Sequence, residues 1–492
     1  MDFYNKMQNY DKTAELNFII KEYILSLLGI VCENSYLKKI RLDEIKAFEK
    51  KTTIFYENSQ LIFRGNRTST EGYVIDISDE CFKESYIKKI RRVFDELLKV
   101  TYNDFNSKET KLLNEYSSFA KAINAYNYAV QRGITAWIAD DNAERIEQLL
   151  ILLERWACKT YEGVKVPFTF TIDLKSDKGT FDYAEFLEEE YSATFTDGIT
   201  SVIELDKNLK FLKYHSITEN DVIKETVIST SPFRFSQVLM NFTTGKNKVT
   251  VILLTSGDII LIKDGKIELI KRDGKWINFN KDVFVSVVMS INKEFPKEYP
   301  LVSQEILNAI FYTALDVSFS HRGGLIAITQ NTDALTLPSE FADIELKKST
   351  KNKKYGIVNY VDDLYHSLPE YTQLKMLYPK IYDNLSMKKR FYKRMAIIAL
   401  AGVTSKTSKD ISFINLDRKL RSEFVSMDGA TILDNKGKVI AFGAIIQNDS
   451  GSYGGGRGAA AKKLSKYGLA IKISTDGYIE VYIQGEIKYR MK

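Results

Sequence analysis

The residues best placed for chemistry lie between Ser426 and Val481. Asp428-Gly429-Ala430 runs into an apolar strand at Ile432-Leu433, and Asp434-Asn435-Lys436-Gly437 has the composition of a tight hairpin turn. A second strand is expected from Lys438 to Gln447. Gly454-Gly455-Gly456-Arg457-Gly458-Ala459-Ala460-Ala461 then opens a helix. Glycines at a helix N-terminus leave backbone N–H groups unobstructed and convergent, which is how main chain cradles phosphate. Arg457, Lys462 and Lys463 read as falling in the first turns. Positive charge there opposes the helix dipole by ~0.3–1 kcal/mol each, and an anion before the loop would reverse that sign. Asp428 could hold Mg2+ or Mn2+ together with phosphate oxygens, because such ions often use only one or two carboxylates. Each piece also has a plainer use, since Asp-Gly is a common turn and a glycine triplet can simply be a flexible hairpin.

Other arrangements fail on inspection. The glycine loop is not a Walker A loop, because Arg457 stands in place of a Lys-Ser/Thr pair. Gly402 to Thr407 lacks the glycines that a P-loop requires. His215, His321 and His366 are far apart, with no paired spacing of the kind zinc sites use. His321-Arg322-Gly323-Gly324 reads as a helix C-terminal cap.

Asp428-Gly429-Ala430, two hairpin strands, the glycine loop with Arg457 and its alanines, Leu464-Ser465 and the strand Leu469 to Ser474 together resemble the diadenylate cyclase domain. The resemblance spans about Val302 to Tyr482 and is most specific from Ser422 onward. It implies that an Asp-Gly-Ala motif and an Arg-His-Arg motif on facing subunits clamp two ATP molecules for metal-assisted attack of each 3′-hydroxyl on the other's α-phosphate. This chain departs from that pattern. Arg457 keeps the first Arg, but Gly458 and Ala459 stand where the family has His and the second Arg. Met427 replaces a metal-binding His, and Thr475 replaces an acidic residue, with Asp476 one place on. The altered form looks like the divergent cyclase-like domains described as nucleotide sensors (the DACNV type) of bacterial signalling and defence. Removing one preorganised donor typically costs ~10²–10³ in rate, so losing two costs roughly 10⁴–10⁶, whereas backbone N–H groups and one Arg still suffice for binding. The expectation is a nucleotide-binding sensor of the ATP or cyclic dinucleotide class. Asp428, Gly429, Ala430, Gly454, Gly455, Gly456, Arg457, Gly458 and Ser474 would form its site, with Asp428 as metal ligand and as catalytic residue only in an active enzyme. The alternatives are an active diadenylate cyclase and a nucleic-acid or protein interaction module.

Composition frames these readings. The 492 residues are 44% hydrophobic and 27% charged with only 7 Pro, which excludes collagen-like, disulfide-scaffold and largely disordered classes. A net charge of +6, with both signs interspersed, does not point to duplex DNA. Cys32, Cys81 and Cys158 are widely separated and no apolar run reaches the ~20 residues of a membrane span, so a soluble cytoplasmic protein is expected.

The elements that must position the site read as α/β. Residues 1–115 form an N-terminal α+β cap, with helices over Leu16 to Leu28 and Ile87 to Val100 around strands at Thr52 to Phe63 and Gly72 to Ile77. A faint repeat covers the rest. In residues 116–292 a helix from Ser117 to Gln131 ends at Arg132-Gly133 and feeds a strand Ile134 to Ile138. In residues 293–492 a helix from Ser303 to Ser318 feeds Leu325 to Ile328. Asp197-Gly198 and Arg234 would match Asp428-Gly429 and Arg457, so the first copy is degenerate, and a Lys-rich insertion occupies about 347–409 of the second. Alternating strands and helices predict a three-layer mixed-sheet domain, used twice. Either a homodimer or, with two copies in one chain, a built-in pseudo-dimer is expected, and an unidentified effector partner would carry the output.

Overall fold

The computed structural model describes residues 12–28, 37–42, 52–57, 60–65, 70–76, 84–103, 115–139, 142–197, 200–217, 236–245, 247–278, 302–329, 412–444 and 455–491, with isolated positions besides. The chain divides into two units, residues 1–283 with 491–492 and residues 284–490. Gly454, Arg234, Gly198 and the 347–409 insertion lie outside the described residues.

The first unit begins with α1 (Lys12–Ile19), which runs through a π turn at Ile20–Leu25. A four-stranded antiparallel sheet follows, made of β1 (Lys38–Arg41), β2 (Ile54–Glu57), β3 (Gln60–Arg64) and β4 (Glu71–Asp76) in the order β1-β4-β3-β2. Next come α2 (Glu84–Asn103), α3 (Glu115–Ala139) and α4 (Ala143–Cys158). The predicted strand Ile134 to Ile138 is instead the last part of α3. Tyr126, Val130, Ile134, Trp137 and Ile138 are all buried at helical spacing. Gly133 does not break the helix. A Cβ there would lie 2.4 Å from Val93 Cα, so the glycine is where α3 crosses α2 at close range.

A seven-stranded sheet completes this unit, with β5 (Phe168–Asp173), β6 (Ser201–Asp206), β7 (Phe211–Ser216), β8 (Lys248–Leu253), β9 (Ile259–Lys263), β10 (Lys266–Arg272) and β11 (Lys275–Asn278). Its order is β11-β10-β9-β8-β5-β6-β7, with β5 and β6 parallel and every other neighbouring pair antiparallel. Trp156 of α4 packs on Phe168, the short helix α5 (Tyr183–Phe186) lies between β5 and β6, and α6 (Ser236–Thr243) precedes β8.

The second unit is a six-stranded sheet in the order β14-β13-β12-β15-β16-β17. Its strands are β12 (Gly324–Thr329), β13 (Ala430–Asp434), β14 (Val439–Ala444), β15 (Gly468–Ile473), β16 (Ile479–Ile483) and β17 (Glu486–Met491). Here β12 and β13 are parallel, and β15 runs antiparallel to β12. Two helices, α7 (Gln304–Phe319) and α8 (Arg418–Val425), pack together on one face, and α9 (Gly455–Leu464) covers the other through Ala460, Ala461 and Leu464. That is a three-layer α/β arrangement with a mixed sheet and no closed barrel. Ser303 caps α7 by accepting from the Ile306 N–H. At its other end the Arg322 N–H donates to Val317 O and the His321 N–H to Ser318 O, a Schellman closure with His321 at φ +48°.

The two larger sheets share one connectivity, and the match extends to single hydrogen bonds. Residues 248–271 correspond to 468–491 with neither insertion nor deletion. The β8–β9 turn closes by Leu254 N–H to Asp258 O and Gly257 N–H to Leu254 O, and the β15–β16 turn repeats both with Ser474, Tyr478 and Gly477. Asp206 caps the β6–β7 turn by accepting from the N–H groups of Asn208 and Lys210, as Asp434 does from Lys436 and Lys438. The left-handed positions of these turns are Leu209 (φ +62°) and Gly437 (φ +76°). Thr243 and Ser465 each accept, at 2.9 Å, the N–H of the glycine in the next hairpin turn, Gly265 or Gly485. The helix that opens the first copy is therefore α4, sixteen residues like α7, and not Ser117 to Gln131.

Candidate functional site

The β-strand register overturns one expected correspondence. Thr171 of β5 faces Glu204, and Ala327 of β12 faces Ile432, so counting along β6 and β13 sets Thr200 opposite Asp428. Asp197 stands three residues earlier. Its carboxylate accepts from the backbone N–H groups of Thr200 and Ser201, at 2.8 Å each, and from both their hydroxyls. It is a turn staple whose acceptors are turned inward on its own loop. Arg234, the expected counterpart of Arg457, lies outside the described residues.

In the second unit the expected residues do meet. Asp428 lies just before β13, and its side chain is 94% exposed. Gly429 adopts φ +96°, where an L side chain is strained, and a Cβ there would sit 2.4 Å from the Gly443 carbonyl carbon. The glycine is thus required both by conformation and by the close passage of β14. Ala430 is buried on the sheet face that packs against α9.

Arg457 lies in the first turn of α9. Its guanidinium is seated on Gly323, at the start of β12, so that a Cβ on Gly323 would fall 2.2 Å from Nη1. From that seat Nη2 lies 3.6 Å from the Asp428 carboxylate. The separation exceeds hydrogen-bond length, and an exposed pair of this kind contributes ~0–1 kcal/mol, so both groups can turn to a ligand at little cost. Gly455 (φ +77°) and Gly456 have open space where side chains would project. Lys462 and Lys463, expected in the first turns, occupy the last turn of this ten-residue helix, where the dipole favours them. Arg457 is the side chain that places positive charge at the N-terminal end.

Gly458 stands above a cation that the sequence reading passed over. Lys472 of β15 has its ammonium 3.9 Å from where a Gly458 side chain would begin. It donates to Glu480 (3.0 Å), which also accepts from Arg490 (2.7 Å) and the Tyr482 hydroxyl (2.9 Å). Burial would raise the Glu480 carboxyl, but Lys472, Tyr482 and Arg490 outweigh it and hold the group below the ordinary carboxylate range. The signal was available: Lys472 shares strand parity with Ala470, and that parity faces α9. Ser474 is one step beyond the Gly324–Ile473 pair and closes the β15–β16 turn through its main chain. Asp476 is exposed in the same turn. Among the described residues no group of three or more His, Cys, Asp or Glu could hold a metal ion, and no helix is long and apolar enough to cross a membrane.

These pieces converge on one end of the sheet, where the α7–β12, α8–β13 and β15–β16 connections meet the start of α9. One exposed carboxylate, one seated guanidinium and an unobstructed glycine turn can bind an anion and hold a divalent ion against it. No protein-family model matches the chain, and no curated protein matches it.

Proposed function

We propose that the second unit binds a nucleotide through its phosphates and acts as a sensor. The observation that carries this reading is Arg457, seated on Gly323 beside the exposed Asp428 at a helix start where Gly455 and Gly456 face open space. Phosphate would accept from the guanidinium and the first N–H groups of α9, and Asp428 would hold a magnesium or manganese ion, which would supply charge neutralisation for the phosphates. Lys472, below Gly458, adds a second cation near the same helix end.

Binding is favoured over catalysis on two grounds. Phosphoryl transfer depends on several preorganised charges acting together, and Gly458 and Ala459 provide no donor side chain where the resemblance implies a His and an Arg. Within the chain the first copy has Thr200 opposite Asp428 and keeps Asp197 bonded to its own loop, so the two copies do not offer two equal carboxylates. The nucleotide class is ATP or a cyclic dinucleotide, and we assign the sensing to bacterial signalling or defence on the strength of the resemblance.

Equilibrium binding of ATP and of cyclic dinucleotides, with magnesium or manganese present, tests the proposal. Arg457→Ala should weaken binding roughly 10- to 150-fold, the value of a charge-assisted contact of ~1.5–3 kcal/mol. Binding unchanged in that variant would refute the site. Chromatography of the same mixtures for cyclic di-AMP decides between sensor and cyclase, because Asp428-dependent product would make the protein an enzyme.

A further inference from the structure

Among the described residues, three of the five exposed large aromatic side chains fall in one stretch of the first unit. Phe181, Tyr191 and Phe195 are 46%, 52% and 54% exposed. They belong to one assembly of rings. Phe186 meets Tyr191 edge-on at 5.4 Å and Phe195 at 5.7 Å, while Phe181 stacks on Phe211 at 5.1 Å and touches Phe186 at 6.2 Å. Burial of Tyr183 beneath them anchors the cluster to the sheet. The same segment presents Glu185, Glu188, Glu189 and Glu190 at the surface.

Ring faces and carboxylates side by side select for one kind of ligand. The faces of Tyr and Phe attract cations through the ring quadrupole, and the glutamates add direct attraction of the same sign. Polyanions are repelled, so the aromatic rings here are unsuited to stacking nucleic-acid bases. Close by, α4 already shows the mode: the Lys159 ammonium lies 5.3 Å over the Trp156 ring, and Arg155 pairs with Glu188 at 3.8 Å. We infer that this surface docks a basic segment of a partner protein, whose Lys or Arg side chains lie across Tyr191 and Phe195 and reach Glu188, Glu189 and Glu190. It would give the chain a route to an effector that is independent of the nucleotide reading.

The test uses the full chain and fluorescence anisotropy with three labelled probes: a peptide of alternating arginine and glycine, the same peptide with glutamate, and a single-stranded oligonucleotide. The arginine peptide should bind and the other two should not. Tyr191→Ser with Phe195→Ser should weaken that binding, each ring accounting for roughly a 2- to 5-fold loss. Glu188→Gln, Glu189→Gln and Glu190→Gln together should weaken it further and flatten its salt dependence. If the double ring variant fails to fold, Tyr191→Ser and Phe195→Ser taken singly, at positions 52% and 54% exposed, decide the matter. Unchanged affinity after ring removal would reduce the surface to a bare charge patch and overturn the proposal. Preference for the oligonucleotide, or concentration-dependent self-association abolished by the same variants, would overturn it too.

Discussion

Gly323→Ala tests the site without removing any charge. The Cβ it adds would lie 2.2 Å from Arg457 Nη1 and 2.9 Å from Cζ. Ordinary contacts need about 3.5 Å, so the guanidinium must retreat by more than about 1 Å. The obstructing atoms are the end of a long side chain, so the fold gives way cheaply, and Gly323 has no left-handed φ that would strain an alanine. Loss of glycine entropy from the unfolded chain returns ~0.4–1 kcal/mol, leaving net stability close to that of the parent. Binding should respond differently. A guanidinium–phosphate contact contributes ~1.5–3 kcal/mol, and moving it off its seat should forfeit most of the lower figure, about 10-fold in affinity. Calorimetric titration with the nucleotide that the parent binds best, beside urea unfolding of both proteins, separates the two effects. Parent-like affinity in Gly323→Ala, with Arg457→Ala impaired, would refute the seat on Gly323. Parent-like affinity in both would refute the cradle itself.

Gly429→Ala should behave in the opposite way, losing at least about 2 kcal/mol of stability in urea unfolding, because both its φ of +96° and its approach to Gly443 are fixed by backbone. The depressed Glu480 carboxyl should contribute stability that is complete above its unfolded value of about 4.3 and is lost as pH falls through its lower folded value. Unfolding measured from neutral to acid pH should therefore show Glu480→Gln destabilised at neutrality, with the gap to the parent closing in acid. His321→Gly should stabilise by about 0.5–1 kcal/mol in thermal or urea unfolding, since it relieves a left-handed residue at a helix end. Leu209→Gly relieves a similar φ but empties a side chain that is 1% exposed, and it should cost roughly 2–5 kcal/mol by the same measurement.

Local chemistry made the second unit legible. Asp434 to Gly437 read as a turn because its φ demands show in its residue types, and Ser303 announced the start of α7. The meeting of Asp428 with Arg457 was foreseeable only through the resemblance, because it depends on β12 passing between segments that are far apart in sequence. Ile134 to Ile138 misled because β-branched and aromatic residues after a glycine look like a strand. What decides is that Gly133 lies against Val93, a contact with no local signature. The repeat was visible in order but not in register. Identity is confined to a few shared positions such as Leu205, Asp206 and Lys210 against Leu433, Asp434 and Lys438, and Asp197-Gly198 offered a false anchor three residues away.

Two matching sheets in one polypeptide create a hazard during folding, because an element of one could dock where its counterpart belongs. Misassembly of this kind is characteristic of repeat and multidomain chains. Differences in the central strands guard against it. In the first unit the Thr171 and Thr250 hydroxyls bond each other at 2.8 Å in the buried sheet face. In the second the same two places are Ala327 and Ala470, register partners under the alanines of α9. A strand exchanged between units would set a buried threonine against an alanine, leaving a hydroxyl without its mate at a cost of ~1–3 kcal/mol, with a methyl-sized misfit besides. The hydroxyl pair thus works as a key, admitting its own partner strand and rejecting the copy.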